Sequence, residues 1–220
     1  MKLYTYFRSS AAYRARIALN LKGVTTEQIS IHLTKDGGKQ HSPEYRAVNP
    51  QRRVPSLVLD NGTVLMQSPA ILEYLDEIHP NPPLLPKDPF DRARVRGLAL
   101  IVACDAHPLV VPRIRNYLEH ELKLDEPTRL TWIRHWSNEA LTALETHLSR
   151  DKQTGRYCHG DAITMADICL VTHAVGAKLF EIDLKPYPTV TRIVDECLKL
   201  DAFARAHPLK QPGAPASGAH

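Results

Sequence analysis

The sequence predicts an α/β domain of order βαβαββα followed by an all-helical domain, and three observations carry that prediction. Up to about residue 80, short β-prone runs alternate with apolar residues at helical spacing. Pro80, Pro82, Pro83, Pro86 and Pro89 then crowd one window that neither a helix interior nor a central strand tolerates. From there to about residue 200 the apolar spacing is helical, with breaks near Pro108 and Pro112, at Leu124 to Pro127, at Asp151 to Gly160 and at Asp183 to Pro188. The expected division is residues 1–81, a Pro-rich linker over 82–89, an all-α domain over 90–210, and a poorly ordered tail over 211–220 that carries almost no apolar bulk.

The first domain can be read element by element. Leu3 to Phe7 is short, aromatic-rich and β-prone, and an Arg-Ser-Ser step leads into Tyr13, Ile17 and Leu21 at helical spacing. Lys22-Gly23 supplies a cationic last turn and a residue that accepts positive φ, so the helix stops there. A strand over about Gln28 to His32 completes a βαβ unit, which crosses over right-handed to form a parallel pair. Lys35 to His41 is glycine-rich without the spacing of a phosphate loop and reads as a mobile surface loop. Pro55 to Leu59 and Thr63 to Met66 flank Asp60-Asn61-Gly62, a hairpin signal, and Ser68 is placed to cap a helix through Ile71, Leu72 and Leu75 with Pro69 in its first turn.

Composition narrows the function classes. The chain has 220 residues and 43% apolar content, enough for packed cores. Its start lacks the pattern of a signal peptide and no stretch reads as a membrane span, so a soluble cytoplasmic protein without a membrane partner is expected. Cys104, Cys158, Cys169 and Cys197 are widely spaced in helical text and read as reduced packing residues, while none of the 11 histidines forms a zinc-like pair, so no metal is expected. A net charge of +4, with Arg92, Arg94 and Arg96 interleaved with other residue types, gives no nucleic-acid signature but suits anionic small molecules.

Chemistry concentrates in three short clusters. Ser9 and Ser10 stand at the entrance of the first helix, where unpaired N–H groups and the helix dipole favour an anion and a hydroxyl can donate another hydrogen bond. Plain helix capping explains the same serines. Asn49 to Pro55 ends in a proline that opens a strand; a cis Val54-Pro55 bond would turn the Val54 backbone groups toward a peptide-like ligand. Gln67-Ser68, with the following helix N-terminus, is suited to a carboxylate. In the second domain, Thr164 and Asp167 have capping-box spacing, so Asp167 reads as a buried structural cap rather than a base.

In this order on a βαβαββα background, the clusters resemble the glutathione transferase superfamily, whose first domain is thioredoxin-like and precedes an all-helical domain. Ser9-Ser10-Ala11-Ala12-Tyr13-Arg14-Ala15-Arg16-Ile17-Ala18-Leu19 is similar to the zeta-class signature Ser-Ser-Cys-x-Trp-Arg-Val-Arg-Ile-Ala-Leu. Lys35-Asp36-Gly37-Gly38, Leu84-Leu85-Pro86, Tyr187-Pro188-Thr189 and Gly160 to Asp167 extend the resemblance over nearly the whole chain. Ala11 stands where the class has cysteine, and Leu179, preceded by Lys178, stands where it often has arginine before the residue aligned with Phe180. One residue along a helix turns a side chain by about 100°, so Lys178 does not simply replace that arginine.

The resemblance implies a homodimeric glutathione-dependent isomerase of maleylacetoacetate or maleylpyruvate, acting by reversible thiolate addition to the cis double bond. It implies Ser9 as donor to the sulfur with Ser10 beside it, and Gln40, Val54, Pro55, Gln67 and Ser68 as glutathione contacts. Arg8, Arg113 and Lys178 are the candidate cations for a dianionic substrate, Arg8 also adjoining the thiol site. Two other readings share these residues: a transferase that conjugates or dehalogenates small electrophiles, and a non-enzymatic interaction protein on the same fold.

Overall fold

The computed structural model describes residues 1–215, and these fall into two compact units: Met1–Pro82 together with the segment from Leu200 onward, and Pro83–Lys199. In the first unit β1 (Lys2–Thr5), β2 (Glu27–Ser30), β3 (Ser56–Val58) and β4 (Val64–Met66) form one four-stranded sheet of order β2-β1-β3-β4. Strand β1 (Lys2–Thr5) leads through α1 (Ser10–Leu21) to β2 (Glu27–Ser30), with β1 and β2 parallel from Lys2 opposite Glu27 to Thr5 opposite Ser30. α2 (Pro43–Val48) precedes β3 (Ser56–Val58) and β4 (Val64–Met66), an antiparallel pair whose β3 also runs antiparallel to β1. The hairpin closes as its sequence demands: Gly62 takes φ 83° and donates to Leu59 O at 2.9 Å, while Asn61 Oδ1 accepts from Thr63 N at 3.0 Å.

Side-chain alternation along β1 sorts the packing. Leu3 and Thr5 are buried and point to one face, whereas Tyr4 points to the other, its ring 5.4 Å from Tyr45 of α2. α1 packs on α3 (Ser68–Ile78) through a core in which Leu3, Ile17, Leu57, Ile71, Leu72 and Leu75 are fully buried. α1 ends at Lys22, and Gly23 takes the left-handed conformation. Lys22 Nζ is buried on Asp76 and on the Pro82 carbonyl, which fastens the end of α1 to that of α3 and to the chain beyond it.

Three expectations change in this unit. Gln67, not Ser68, is the N-cap of α3; Ser68 is already inside the helix, buried, with its Oγ accepting from Arg14 Nη1 at 3.2 Å. The last helix, α10 (Asp201–Ala206), packs on α1 rather than among the helices of the second unit. Buried and half-buried donors explain this: Tyr13 Oη, Arg16 Nε and Asn20 Nδ2 of α1 donate to the carbonyls of Phe203 (3.3 Å), Ala206 (3.2 Å) and Ala202 (2.9 Å). Helical periodicity marks α10 as a helix but says nothing of its partner. Residues 211–215, expected to lack order, make definite contacts: Gln211 Nε2 donates to Arg205 O (2.7 Å) and His207 O (3.1 Å), and Ala214 packs on the cluster around Tyr6 and Phe7. The remainder of the predicted tail, 216–220, lies outside the described residues.

The second unit is helical. It comprises α4 (Pro89–Leu100), a π-helical stretch (Ile101–Ala106), α5 (His107–Val110), α6 (Pro112–His120), α7 (Glu126–Arg150), α8 (Met165–Lys178) and α9 (Pro188–Leu198). Against the expectation that no stretch reads as a membrane span, Pro89–His120 contains an 18-residue window of mean hydropathy 1.5, long and apolar enough by composition to cross a bilayer. The run is not one helix: Val111 is extended (φ −74°, ψ 160°), so the backbone ladder breaks before α6. Cys104 is exposed on the π-helical stretch rather than packed, whereas Cys158, Cys169 and Cys197 are buried.

Candidate active site

The serine turn is built from beneath. Ser9 N donates to Tyr6 O at 3.0 Å, and Ser9 is the N-cap of α1, its Oγ accepting from Ala12 N at 3.2 Å. Capping uses an oxygen lone pair and leaves the hydroxyl hydrogen to donate elsewhere, so capping and thiol chemistry do not exclude one another. Ser10 follows as the first helical residue, half-buried, and Arg8 is exposed within the turn. Arg16, 2% exposed, braces the turn: its guanidinium donates to Thr5 Oγ1 (2.9 Å), Tyr6 O (3.3 Å) and Phe7 O (3.3 Å). Burial lowers the Arg16 pKa to about 10, which still leaves a cation below the turn at neutral pH.

The segment from His32 to His41 is folded, not the open loop its glycines suggested. Two short 3₁₀ turns, Lys35–Gly37 and Lys39–His41, wrap the half-buried Gln40. Gln40 Nε2 donates to Leu33 O at 3.0 Å, which fixes the amide's orientation because a carbonyl only accepts. Its Oε1 is buried and, among the described residues, has no hydrogen-bond partner. An orphaned buried acceptor is what a peptide N–H would satisfy.

Val54-Pro55 is cis, and both residues are buried. Just upstream, Arg53 O accepts from Tyr45 Oη and from Asn49 Nδ2 (2.9 Å), and both side chains also meet Ser56 Oγ, at 3.1 and 3.0 Å. Burial pushes the Tyr45 hydroxyl above its ordinary pKa, so it stays a donor. Gln67, exposed at φ 67°, donates from Nε2 to Gln51 Oε1 at 3.1 Å. The first N–H groups of α3, beginning at Ser68, lack intrahelical partners and suit a carboxylate.

In the second unit, Arg113 is exposed near the start of α6, its Nη2 3.4 Å from Pro108 O. Lys178 is the exposed last residue of α8 and lines a cavity of about 260 Å³ with Ile182, Asp183, Leu184, Lys185 and Thr191. Near Leu179, two arginines from other helices meet Phe180: Arg115 lies 5.5 Å over its ring, and Arg134 Nε donates to its carbonyl at 3.0 Å. Asp167 is fully buried, with Oδ2 accepting from Thr164 N and Thr164 Oγ1 (both 2.8 Å) and Oδ1 from Cys158 N (2.7 Å). All three partners are structural, and burial, partly offset by these bonds, raises its pKa above the ordinary carboxylate value. Burial likewise pushes the Cys158 and Cys197 thiols up, so these two thiols stay protonated.

Sequence reasoning assigned no role to Arg16, Tyr45, Asn49 or His32. A signal existed for the first, since Arg16, like Arg14, is a charged residue set among the apolar residues of this short helical stretch. Tyr45 and Asn49 share a face at i,i+4 spacing, but only the folded chain reveals that this face meets Arg53 and Ser56.

Residues 3–83 match the family described as Glutathione S-transferase, N-terminal domain. The maleylacetoacetate isomerase of Pseudomonas aeruginosa is 44% identical over 99% of this chain and 100% of its own. A maleylacetoacetate isomerase from Methylobacterium extorquens AM1, solved with bound malonate and glutathione, superposes with TM-score 0.95 at 51% identity, covering 98% of this chain and 100% of that one. A maleylpyruvate isomerase, a bacterial zeta-class glutathione transferase solved in holo form, gives TM-score 0.94 at 44% identity over 98% and 100%. The chain belongs to the glutathione transferase superfamily, within the zeta-class group that these isomerases represent.

Proposed function

We propose that this chain is a glutathione-dependent enzyme that isomerises the cis double bond of a maleyl diacid, maleylpyruvate or maleylacetoacetate, to the fumaryl form in the breakdown of aromatic acids. The observation that carries this reading is the Ser9 hydroxyl at the N-terminus of α1, free to donate while its oxygen caps the helix, in a chain of zeta-class pattern. Bound glutathione supplies a thiolate that adds reversibly to the activated double bond. Ser9 donates its hydrogen to that sulfur, with Ser10 and the unpaired N–H groups of the first turn adding to the positive field. Favouring the thiolate by one pKa unit needs only about 1.4 kcal/mol, within reach of a hydroxyl and a helix N-terminus.

Glutathione fits the residues present. Gln40 Oε1 awaits an N–H, the start of α3 at Gln67-Ser68 awaits a carboxylate, and Val54 and Pro55 lie next to a carbonyl pinned by Tyr45 and Asn49. Arg8, Arg113 and Lys178 are the proposed cations for the substrate's carboxylates. The proposed form is a cytoplasmic homodimer with no nucleic-acid or membrane partner, and light scattering coupled to gel filtration tests its size.

The reaction is tested by following the ultraviolet absorbance of maleylpyruvate and of maleylacetoacetate with and without glutathione, with the matching fumaryl hydrolase as reporter. Glutathione-dependent turnover of either establishes the activity. Turnover of neither, alongside consumption of glutathione by a chlorinated aromatic or a haloacid, would replace it with conjugation or dehalogenation.

A further inference from the structure

His32 joins the two halves of the thiol site in the first unit. Its ring packs edge-on against Tyr6, with centroids 4.9 Å apart, and lies 6.3 Å from Phe7; these are the residues that lead into Arg8 and Ser9. On the other side, its Nδ1 accepts from Lys35 N at 2.9 Å and, at a longer 3.4 Å, from Thr34 N. Its backbone carbonyl accepts from Lys39 N at 2.8 Å, closing the segment just before Gln40. Two N–H groups aimed at Nδ1 require that nitrogen to carry a lone pair, so the ring proton sits on Nε2.

The pattern of one side-chain acceptor serving the N–H groups two and three residues on is that of an Asx turn. Here an imidazole supplies the acceptor, and it starts the 3₁₀ turn at Lys35–Gly37. The chain then reverses at Gly38, which is buried at φ 91°; a methyl group there would overlap the Gln40 amide. The Gln40 amide can therefore fold back onto Leu33 O only because the segment is held in this form.

We propose that His32 is a positioning residue for glutathione: it prefolds residues 33–41 so that Gln40 Oε1 is presented before the ligand arrives. The inference rests on the glutathione-dependent reading of the site. Its energetic content is a population effect. When the prefolded fraction of the segment falls, the apparent affinity falls by the same factor. Ser9 caps α1, outside this segment, and an aromatic ring kept against Tyr6 and Phe7 leaves the serine turn supported, so turnover at saturating glutathione does not depend on the His32 acceptor.

Two variants separate the ring from the acceptor. His32→Phe keeps an aromatic ring against Tyr6 and Phe7 and removes the acceptor; His32→Asn removes the ring and restores an acceptor suited to the i+2 and i+3 N–H groups. Losing one net hydrogen bond of ordinary strength corresponds to roughly a fivefold change in an equilibrium constant. The constant for prefolding the segment is expected to fall about fivefold in His32→Phe, so calorimetric titration with glutathione should give a Kd weaker by up to that factor for His32→Phe and within about twofold of the parent for His32→Asn. Amide hydrogen exchange at Lys35 and Lys39 should accelerate in His32→Phe alone, and the glutathione KM should rise without a change in kcat.

Unchanged glutathione affinity and unchanged Lys35 and Lys39 protection in His32→Phe would overturn the positioning role while leaving the glutathione reading intact. Weakening in His32→Asn but not in His32→Phe would assign the effect to ring packing and would also overturn it. A parent protein that binds no glutathione would remove the reading and this inference together.

Discussion

Replacing Ser9 separates its two roles, because Ala and Gly differ as helix caps but are alike in lacking a hydroxyl. Ser9 Oγ accepts from Ala12 N at 3.2 Å in a partly buried setting, so Ser9→Ala removes one cap bond. Such a change costs about 1 kcal/mol, whereas Gly at an N-cap costs only a few tenths. For a protein of this size the alanine variant should melt roughly 2–4 °C lower, and the glycine variant within about 1 °C of the parent. The catalytic loss should be the same in both. A hydrogen bond to a charged group contributes about 1.5–3 kcal/mol, equivalent to one to two units in the pKa of the bound thiol. At neutral pH the thiolate fraction, and with it turnover, should fall about 10- to 100-fold in either variant, with glutathione affinity within severalfold of the parent. Ultraviolet difference titration of bound glutathione reads the thiol pKa, and melting curves read the cap. An unchanged thiol pKa in Ser9→Gly would remove the hydroxyl from the mechanism, and a turnover loss confined to Ser9→Ala would reduce Ser9 to a cap.

Asp167→Ala should be the costliest of the simple variants for stability. It strips the buried Cys158 and Thr164 N–H groups of their acceptor, at about 1–3 kcal/mol each, and should lower the melting temperature by roughly 5–20 °C in calorimetry; a shift under about 2 °C would contradict the structural-cap role. Asp151 should show the opposite pH behaviour to a buried acid. Its pKa is lowered by the bond from Gln153 N and by the Arg94 guanidinium, so its contribution is present above the ordinary carboxylate range and is lost as pH falls through the lowered value. The stability gap between parent and Asp151→Asn should accordingly close on acidification, and a gap constant from pH 7 to about pH 2 would sink the argument. Gly38→Ala should displace the Gln40 amide from Leu33 O and weaken glutathione binding about as much as Gln40→Ala does; unaltered binding in the titration would show that Gln40 is not a contact.

The sequence by itself determined the elements and the chemistry that depends on neighbours along the chain. The turn at Asp60-Asn61-Gly62, the stop at Lys22-Gly23, the serine entrance to α1 and the Thr164–Asp167 cap are each set by a few adjacent residues. Their backbone preferences act locally and can be read without knowing what packs above them. The family pattern was legible for the same reason, being carried by short runs at fixed spacing.

What the tertiary structure decided are the partners of buried polar groups. Arg16 under the serine turn, Tyr45 and Asn49 on the Arg53 carbonyl, and His32 between Tyr6 and Lys35 unite residues that the sequence lists as unrelated. The assignment of α10 to the first unit belongs with them, since Tyr13, Arg16 and Asn20 supply donors that only the folded chain brings within reach. A donor or acceptor taken out of water must find a partner wherever the fold puts one, and periodicity records that a face is buried without recording what it is buried against.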